Sequence, residues 1–361
     1  MIKDDFLSGI FYSVPNLRFP LYKNKWECKK IKDILKICHG KDYKHLESGK
    51  YPVLGTSGIF TYVNQYLCDW PCALIGRKGA SLDKPHYMDS PFWCVDTLYY
   101  SKPVKNNNPK WQYYLFQTIN WMKMNESSGI PSLRASTIEN IDVFVPSYQE
   151  QSNIVEFLDK IEQRIETQIK IIDSIKSQKQ QIRNILFNDI HQTPNCCVQD
   201  YVAYEQPQKY IVHDSNYLPY SKVLIPVLTA NQSFILGYTS ENDGIYKKGD
   251  CIIFDDFTNE SKYVNFPFKV KSSALKILQT KEGLLLKFFY EYLQFLNFEA
   301  INHKRHYLSE VAITEINVPD LKKQSYVCKV LSSVDIKLKN EEIILKNYKL
   351  QKHFLLANLF V

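Results

Sequence analysis

No run of about eighteen consecutive apolar residues occurs anywhere in this chain of 361 residues, so a membrane-spanning helix is not expected. The opening MIKDDFLSGIFYSVPNLRFP has no apolar core preceded by positive charge, and no secretion signal is expected either. Nine cysteines, at 28, 38, 68, 72, 94, 196, 197, 251 and 328, are an odd number without disulfide-framework spacing. A chain this long has room for two ordinary cores and does not need staples, so a reducing, cytoplasmic setting is expected. A uniform basic footprint is missing too. The formal net charge is +7, yet residues 191–320 carry 12 Lys and Arg against 15 Asp and Glu, so any nucleic-acid face there must be local.

Catalytic signatures are equally sparse. Pro319-Asp320 with Asp335-Ile336-Lys337 mimics the carboxylate-carboxylate-lysine set of metal-dependent nucleases, but the second pair falls on a helical pattern where a strand is required. Gly244 to Asp250 has the glycine spacing of a phosphate loop with Asp in place of the lysine and Cys251 in place of Ser or Thr. No Asn-Pro-Pro-aromatic or Asp-Pro-Pro-aromatic run is present to hold an adenine amino group. Cys68-x-x-x-Cys72 and His303-x-x-His306 lack a second pair of ligands, so buried apolar thiols and no bound zinc are expected.

What is present is a helix written twice. Apolar residues recur at gaps of four and three at Ile154, Leu158, Ile161, Ile165, Ile172, Ile175, Ile182 and Leu186. Shifted by 173 positions, the same frame holds Val327, Leu331, Val334, Leu338, Leu345, Tyr348, Leu355 and Leu359. Both stripes are interrupted at the same two slots, by Gln168 and Lys179 in one copy and Glu341 and Lys352 in the other. A heptad stripe needs a partner helix to cover it, and the other copy is the obvious one. Two amphipathic helices lying separately on their own domains are the alternative. The four polar slots either fix an antiparallel register, face a partner protein, or are tolerated because their side chains reach solvent.

The segments before each helix echo one another. Tyr51-Pro52-Val53-Leu54 parallels Ile225-Pro226-Val227-Leu228, Cys72 to Ile75 parallels Cys251 to Phe254, and Pro91-Phe92 parallels Pro267-Phe268. Ile141 to Pro146 closes the first segment as Thr314 to Pro319 closes the second. The 25 Tyr and 20 Phe, with Ile and Val, suit strands in these segments, and one local helix is expected in each, near Trp111–Met124 and Gly283–Phe298.

The run Tyr51 to Tyr100 resembles the target-recognition domain of the specificity subunits of type I restriction-modification systems. Leu17-Arg18-Phe19-Pro20 with Trp26, Gly129 to Leu133, and the exit Val145-Pro146 with Gln149-Glu150-Gln151 resemble the same family. The resemblance implies an α+β chain with two β-rich target-recognition domains bearing small helices, separated by a long antiparallel two-helix coiled coil. The corresponding divisions are residues 1–149, a central helix at 150–190, residues 191–322 and a C-terminal helix at 323–361. It also implies a non-catalytic DNA-binding subunit that reads a bipartite, asymmetric duplex site. Two methyltransferase subunits using S-adenosylmethionine would be its partners, with motor-nuclease restriction subunits using ATP and Mg. The chain itself would bind no cofactor. A duplicated coiled-coil scaffold that does not read DNA, or a fused restriction enzyme, are the alternatives.

Groove readout needs hydrogen-bonding side chains and phosphate-binding cations on one face. In the first domain these are Lys41, Lys44, His45, Thr56, Ser57, Arg77, Lys78, Ser81 and Arg134, with Lys84 and His86 behind. Arg77 leads, since a guanidinium suits a guanine edge or a phosphate and the flanking Gly76 and Gly79 let the backbone approach closely. In the second they are Thr229, Asn231, Gln232, Ser233, Lys262 and Tyr263, with the basic cluster Asn302, His303, Lys304, Arg305 and His306. Asp255-Asp256-Phe257 stands where the first domain has Arg77-Lys78-Gly79, so phosphate contacts cannot be copied between halves.

Overall fold

The two stretches of heptad periodicity become the two longest helices. In the computed structural model, which describes residues 14–104, 106–230, 233–298 and 306–361, they span Tyr148–His191 and Leu321–Leu359. Neither contains Gly or Pro, and each is stopped at its start by a Pro-containing turn. The Ser147 hydroxyl accepts from the Glu150 amide at 3.3 Å in one, and the Asp320 carboxylate from the Lys323 amide at 2.8 Å in the other.

The chain divides into two units, residues 1–169 with 343–361, and residues 170–342, so each unit takes in one half of each long helix. The first contains β1 (Glu27–Lys30), α1 (Ile31–Ile34), β2 (Leu35–His39), β3 (Ser48–Gly55), β4 (Gly58–Val63), β5 (Cys72–Gly76), β6 (His86–Met88), β7 (Trp93–Cys94) and β8 (Leu98–Pro103). Helices α2 (Pro109–Thr118) and α3 (Ala135–Glu139) and strand β9 (Asp142–Val145) lead into the central helix, α4. A four-stranded sheet runs β2-β8-β5-β6, a three-stranded sheet β4-β3-β7, and β1 pairs with β9.

The second unit repeats this plan with β10 (Cys196–Cys197), α5 (Val198–Tyr201), β11 (Val202–Glu205), β12 (Ile225–Leu228), β13 (Ile235–Thr239), β14 (Cys251–Asp255), β15 (Ser261–Val264), β16 (Lys269–Val270) and β17 (Leu275–Thr280). Helix α6 (Leu286–Leu296) and strand β18 (Glu315–Ile316) precede the last helix, α7. Its sheets run β11-β17-β14-β15 and β13-β12-β16, with β10 paired to β18. The two echoes in the sequence are thus equivalent strands, β3 with β12 and β5 with β14. The architecture is α+β.

In each unit the largest buried cluster is made against the long helices. Ile154, Leu158 and Ile161 from the start of α4 share a buried cluster with Leu355, Leu359 and Phe360 at the end of the chain, while Val327 and Leu331 from the start of α7 share one with Phe187 and Ile190. Each unit therefore joins the beginning of one long helix to the end of the other, an antiparallel arrangement. All sixteen stripe residues are buried or half-buried. Phe360 stacks on Trp111 of α2 at 5.8 Å, and Phe187 lies 5.2 Å from Phe288 of α6. Buried Gln151 accepts from the Asn108 amide and donates to the Pro146 carbonyl, and buried Gln324 does the same with Leu285 and Pro319. The sequence opening is tied down as well: Arg18 donates through Nε and Nη2 to the buried Glu150 carboxylate at 2.7 and 2.8 Å.

The interrupted slots carry the repeat into charge chemistry. Lys179 of α4 meets Asp335 of α7 at 2.5 Å, and Lys352 of α7 meets Glu162 of α4 at 2.7 Å. These two ion pairs are the same pair under the 173-residue shift. Lys179 also reaches Glu291 of α6, which is fully buried and accepts from Arg183 Nη2 at 2.8 Å. Gln168 is buried and Glu341 half-buried.

Candidate nucleic-acid interface

In the first unit the candidate residues sit on turns that backbone hydrogen bonds draw together. The Arg77 and Lys78 amides both donate to the Thr97 carbonyl, the Leu133 amide to the Arg77 carbonyl, and the Gly79 amide to the Pro131 carbonyl. Lys78 forms an antiparallel bridge with Ser132. The loop after β5 is thereby fastened to the segment carrying Arg134. Gly79 has φ +132°, and a Cβ there would come within 3.1 Å of the Thr56 hydroxyl, so the loop closes onto the β3–β4 turn only with glycine. His86 completes the cluster, its ring Nε2 lying 3.1 Å from the Thr56 carbonyl.

A second group is joined to the first through β7. The Lys41 amide donates to the Cys94 carbonyl, the Trp93 indole to the Lys41 carbonyl, and the Val95 amide to the Leu54 carbonyl. His45 packs edge-on against Trp93 at 5.9 Å. Lys41, Lys44, His45, Ser57, Arg77, Lys78, Lys84 and Arg134 are exposed, and Thr56 and Ser81 half-buried. Lys84 closes a turn by donating its amide to the Ser81 carbonyl.

Two guanidiniums are already oriented. Arg77 donates to the Asp96 carbonyl at 3.3 Å and lies 5.9 Å from the centre of the Tyr99 ring, while Arg134 meets Glu126 at 2.7 Å. Asp96, Tyr99 and Glu126 were missed in the sequence, because nothing in local spacing joins them to either arginine.

The second unit presents a different surface at the equivalent loop. Asp255 accepts from the Phe257 and Thr258 amides, closing the turn, and buried Asp256 accepts from the Tyr307 amide and pairs with buried Lys276 at 3.4 Å. Thr229 and exposed Ser233 lie between β12 and β13; Asn231 and Gln232 fall outside the described residues. Lys262 and Tyr263 are adjacent on β15, so their side chains leave opposite faces. The Tyr263 hydroxyl donates to Asp250 at 2.6 Å and its ring packs on Tyr290 of α6, with the Lys287 ammonium 5.2 Å from the ring centre. His306 is also corrected. It is buried, its Nδ1 2.9 Å from Glu310 and its amide bonded to the Asp256 carbonyl, so it cannot meet a phosphate in this conformation. Asn302, His303, Lys304 and Arg305 lie outside the described residues.

The other candidates in the sequence are engaged within the fold. Asp320 caps α7 and Asp335 answers Lys179 and Lys287, so neither carboxylate is placed for a nuclease. Strand β14, not a helix N-terminus, follows Gly244 to Asp250, and Lys248 of that loop pairs with Glu205. Cys68 and Cys72 are buried with their sulfurs 3.9 Å apart. Their mutual hydrogen bond pushes the Cys72 thiol up and lowers that of Cys68, and burial drives the Cys251 thiol up to about 12. Among the described residues, His213, Glu241 and Asp243 bring ligand atoms within 4.8 Å of one another. Glu241 there accepts from the His213 and Asp214 amides and from the Lys269 ammonium, which is fully buried. A carboxylate so engaged is a poor cation ligand. Among the described residues no helix is long and apolar enough to cross a membrane.

Comparison with known proteins agrees with this layout. The family model described as "Type I restriction modification DNA specificity domain" matches residues 23–177. The type I restriction enzyme EcoR124I/EcoR124II specificity subunit of Escherichia coli is 45% identical over 122 residues, 32% of this chain and 30% of that protein. The type I restriction enzyme EcoprrI specificity subunit, also of Escherichia coli, is 28% identical over 116 residues, 32% of this chain and 29% of that protein. The chain thus matches less than a third of the length of either relative. The crystal structure of a type I restriction-modification S subunit from M. genitalium has the same fold, with a TM-score of 0.60 at 15% identity over 96% of this chain and 99% of that one. Residues 23–177 thus match a type I restriction modification DNA specificity domain, and the chain has the fold of that S subunit along nearly its whole length.

Proposed function

We propose that each unit reads one block of a bipartite, asymmetric site in duplex DNA, and that the chain itself catalyses nothing. The observation that carries this is duplication with divergence at one loop. The same strand, β5 or β14, ends in exposed Arg77 and Lys78 in one unit and in a turn closed by Asp255, with buried Asp256, in the other. Two copies of one scaffold with unlike chemistry at equivalent places suit two unlike half-sites, whereas two copies of one reader would favour a palindrome. The first unit contacts DNA through Arg77, Lys78, Thr56, Ser57, Lys41 and Lys44. In the second, Thr229, Ser233 and Lys262 are the described candidates.

The long helices set the gap between the two blocks and dock two methyltransferase subunits, which use S-adenosylmethionine. Restriction subunits using ATP and Mg join the same assembly. Exposed apolar residues on the long helices, among them Ile343, Leu350 and Phe354 in the first unit and Ile185 and Ile336 in the second, support a protein partner there. Selection from a randomised duplex pool, with the cognate methyltransferase present, tests the proposal. Enrichment of one motif made of two different short blocks at a fixed gap is expected. A single contiguous motif, a palindrome or no enrichment refutes it, the last leaving the chain a scaffold.

A further inference from the structure

The three-stranded sheets of the two units have the same topology and the same register, and differ in how the edge is finished. Pro52 stands opposite Tyr62 across β3 and β4, and Pro226 opposite Tyr238 across β12 and β13, with a bulge one step later in each. Val53–Thr61 and Val227–Gly237 are likewise equivalent pairs. In the second unit the outer edge of β13 is covered by the chain's own residues. The Leu218 amide donates to the Tyr238 carbonyl at 2.8 Å, and the Tyr238 amide to the Leu218 carbonyl at 3.0 Å. Tyr220 packs on Tyr238 at 5.2 Å, and Gly237 leaves room for Tyr217, whose Cβ would lie 2.4 Å from any Cβ placed there.

The first unit has no such cover among the described residues. The connection before β3 runs only from Gly40 to Glu47, whereas that before β12 runs from Gln206 to Leu224, and the covering segment lies within the longer one. Tyr62, the counterpart of Tyr238, is 50% exposed, with Ile59 and Phe60 exposed on the same strand. The pairing of Tyr238 with Leu218 shows that a residue opposite this proline turns its amide and carbonyl outward, and the shared register puts those of Tyr62 in the same position. Strand β4, GIFTYV, has no charge, proline or other device that blocks edge pairing.

We propose that the outer edge of β4 is a strand-addition site, filled by an extended, uncharged segment of a partner polypeptide running antiparallel to β4. The sister unit defines the chemistry of that segment. A backbone amide and carbonyl face those of Tyr62, an aromatic two residues further on packs on the Tyr62 ring, and a small residue comes just before the bonded position. The last requirement arises because Thr61 fills the space that Gly237 leaves open. The site is independent of the DNA-reading proposal and does not require it.

The test uses the full chain and a fluorescent peptide with the sequence of residues 215–221 carrying Tyr217→Gly. Saturable binding is expected, with slowed hydrogen exchange at the Tyr62 amide. N-methylation of the leucine amide of the peptide is expected to weaken binding at least about tenfold, as is restoring tyrosine at the small position. In the protein, Tyr62→Pro removes the outward amide together with the ring but no hydrogen bond to β3, because Tyr62 faces Pro52 at a non-bonded position, and should abolish binding. Equal affinity of the N-methylated peptide, or no binding up to about 1 mM, would overturn the proposal. So would a concentration-dependent dimer lost in Tyr62→Pro, which would make a second copy of the chain the occupant.

Discussion

Removing the carboxylate of Glu291 should destabilise the second unit more than any other single substitution on its polar surface or seam. Glu291 is fully buried on α6 and answers three cations, Lys179 at 3.1 Å, Arg183 at 2.8 Å and Lys287 at 3.4 Å. Asp335 shares Lys179 and Lys287, so the network holds three positive and two negative groups. In Glu291→Ala the arginine loses its carboxylate partner and keeps only Gln180, while the two lysines share one partly exposed aspartate. Breaking a buried pair from one side costs about 3–5 kcal/mol, because the stranded charge stays desolvated. With an m-value near 2 kcal/mol/M, the urea midpoint of the second unit should fall by roughly 2 M. All five tryptophans, at 26, 70, 93, 111 and 121, belong to the first unit, so indole fluorescence reports that unit. Hydrogen exchange in β14 and β17 follows the second. Replacing the cluster by apolar residues, with Lys179→Met, Arg183→Met and Glu291→Leu together, should recover most of the loss. A drop below about 1 kcal/mol in Glu291→Ala would show that the charges are solvated and that the reasoning from burial fails.

Other substitutions address recognition and acid stability. Arg77→Ala should cost about 1–3 kcal/mol of affinity and relax preference only in the half-site read by the first unit, whereas Lys78→Ala should weaken all sequences alike and reduce the salt slope by about one; equal losses for every sequence in both variants would deny Arg77 a base contact. Deleting seven residues from each long helix should change or abolish the gap between blocks while leaving each block readable, and methylation at an unchanged gap would refute the helices as the measure of distance. Acid should weaken the second unit through Glu241. Burial raises the pKa of that carboxylate, but the Lys269 ammonium and the Asp214 and His213 amides outweigh burial and leave it lowered. The folded state therefore releases this proton at lower pH than the unfolded chain, so the stabilisation is present above the ordinary carboxylate value near 4.3 and is lost as pH falls through the lower folded value. Glu241→Gln should flatten that part of the pH–stability curve, and an unchanged slope would rule Glu241 out as its source.

The long helices were legible because a period of seven survives in any window, and the strands because their Tyr, Phe, Ile and Val suit a pleated, half-buried surface. The local helix near Trp111 is Pro109–Thr118 with a short 3-10 turn at Trp121–Met124, and the one near Gly283 is Leu286–Leu296. Partners distant in sequence were not legible. Nothing near Lys179 announces Glu291 or Asp335, and nothing near Arg134 announces Glu126, since these pairs are made by folding rather than spacing. His306 reads as part of a basic loop because its neighbours are basic, yet its burial follows from the Asp256 carbonyl and Glu310 beside it. Tyr263 misleads for a related reason: strand alternation sends it to the face opposite Lys262, which a cluster count ignores. The cover over β13 was invisible too, because residues 217–220 have no counterpart in the shorter loop of the first unit.

The central claim is that two unlike readers on one duplicated chain define one asymmetric, interrupted site. Single-base mapping of methylated adenines in the host genome, with and without this locus, tests it most directly. One motif is expected to disappear on deletion, composed of two different short blocks separated by a constant number of unspecified bases. A motif that is contiguous or palindromic, or a methylation pattern unchanged by the deletion, would contradict it.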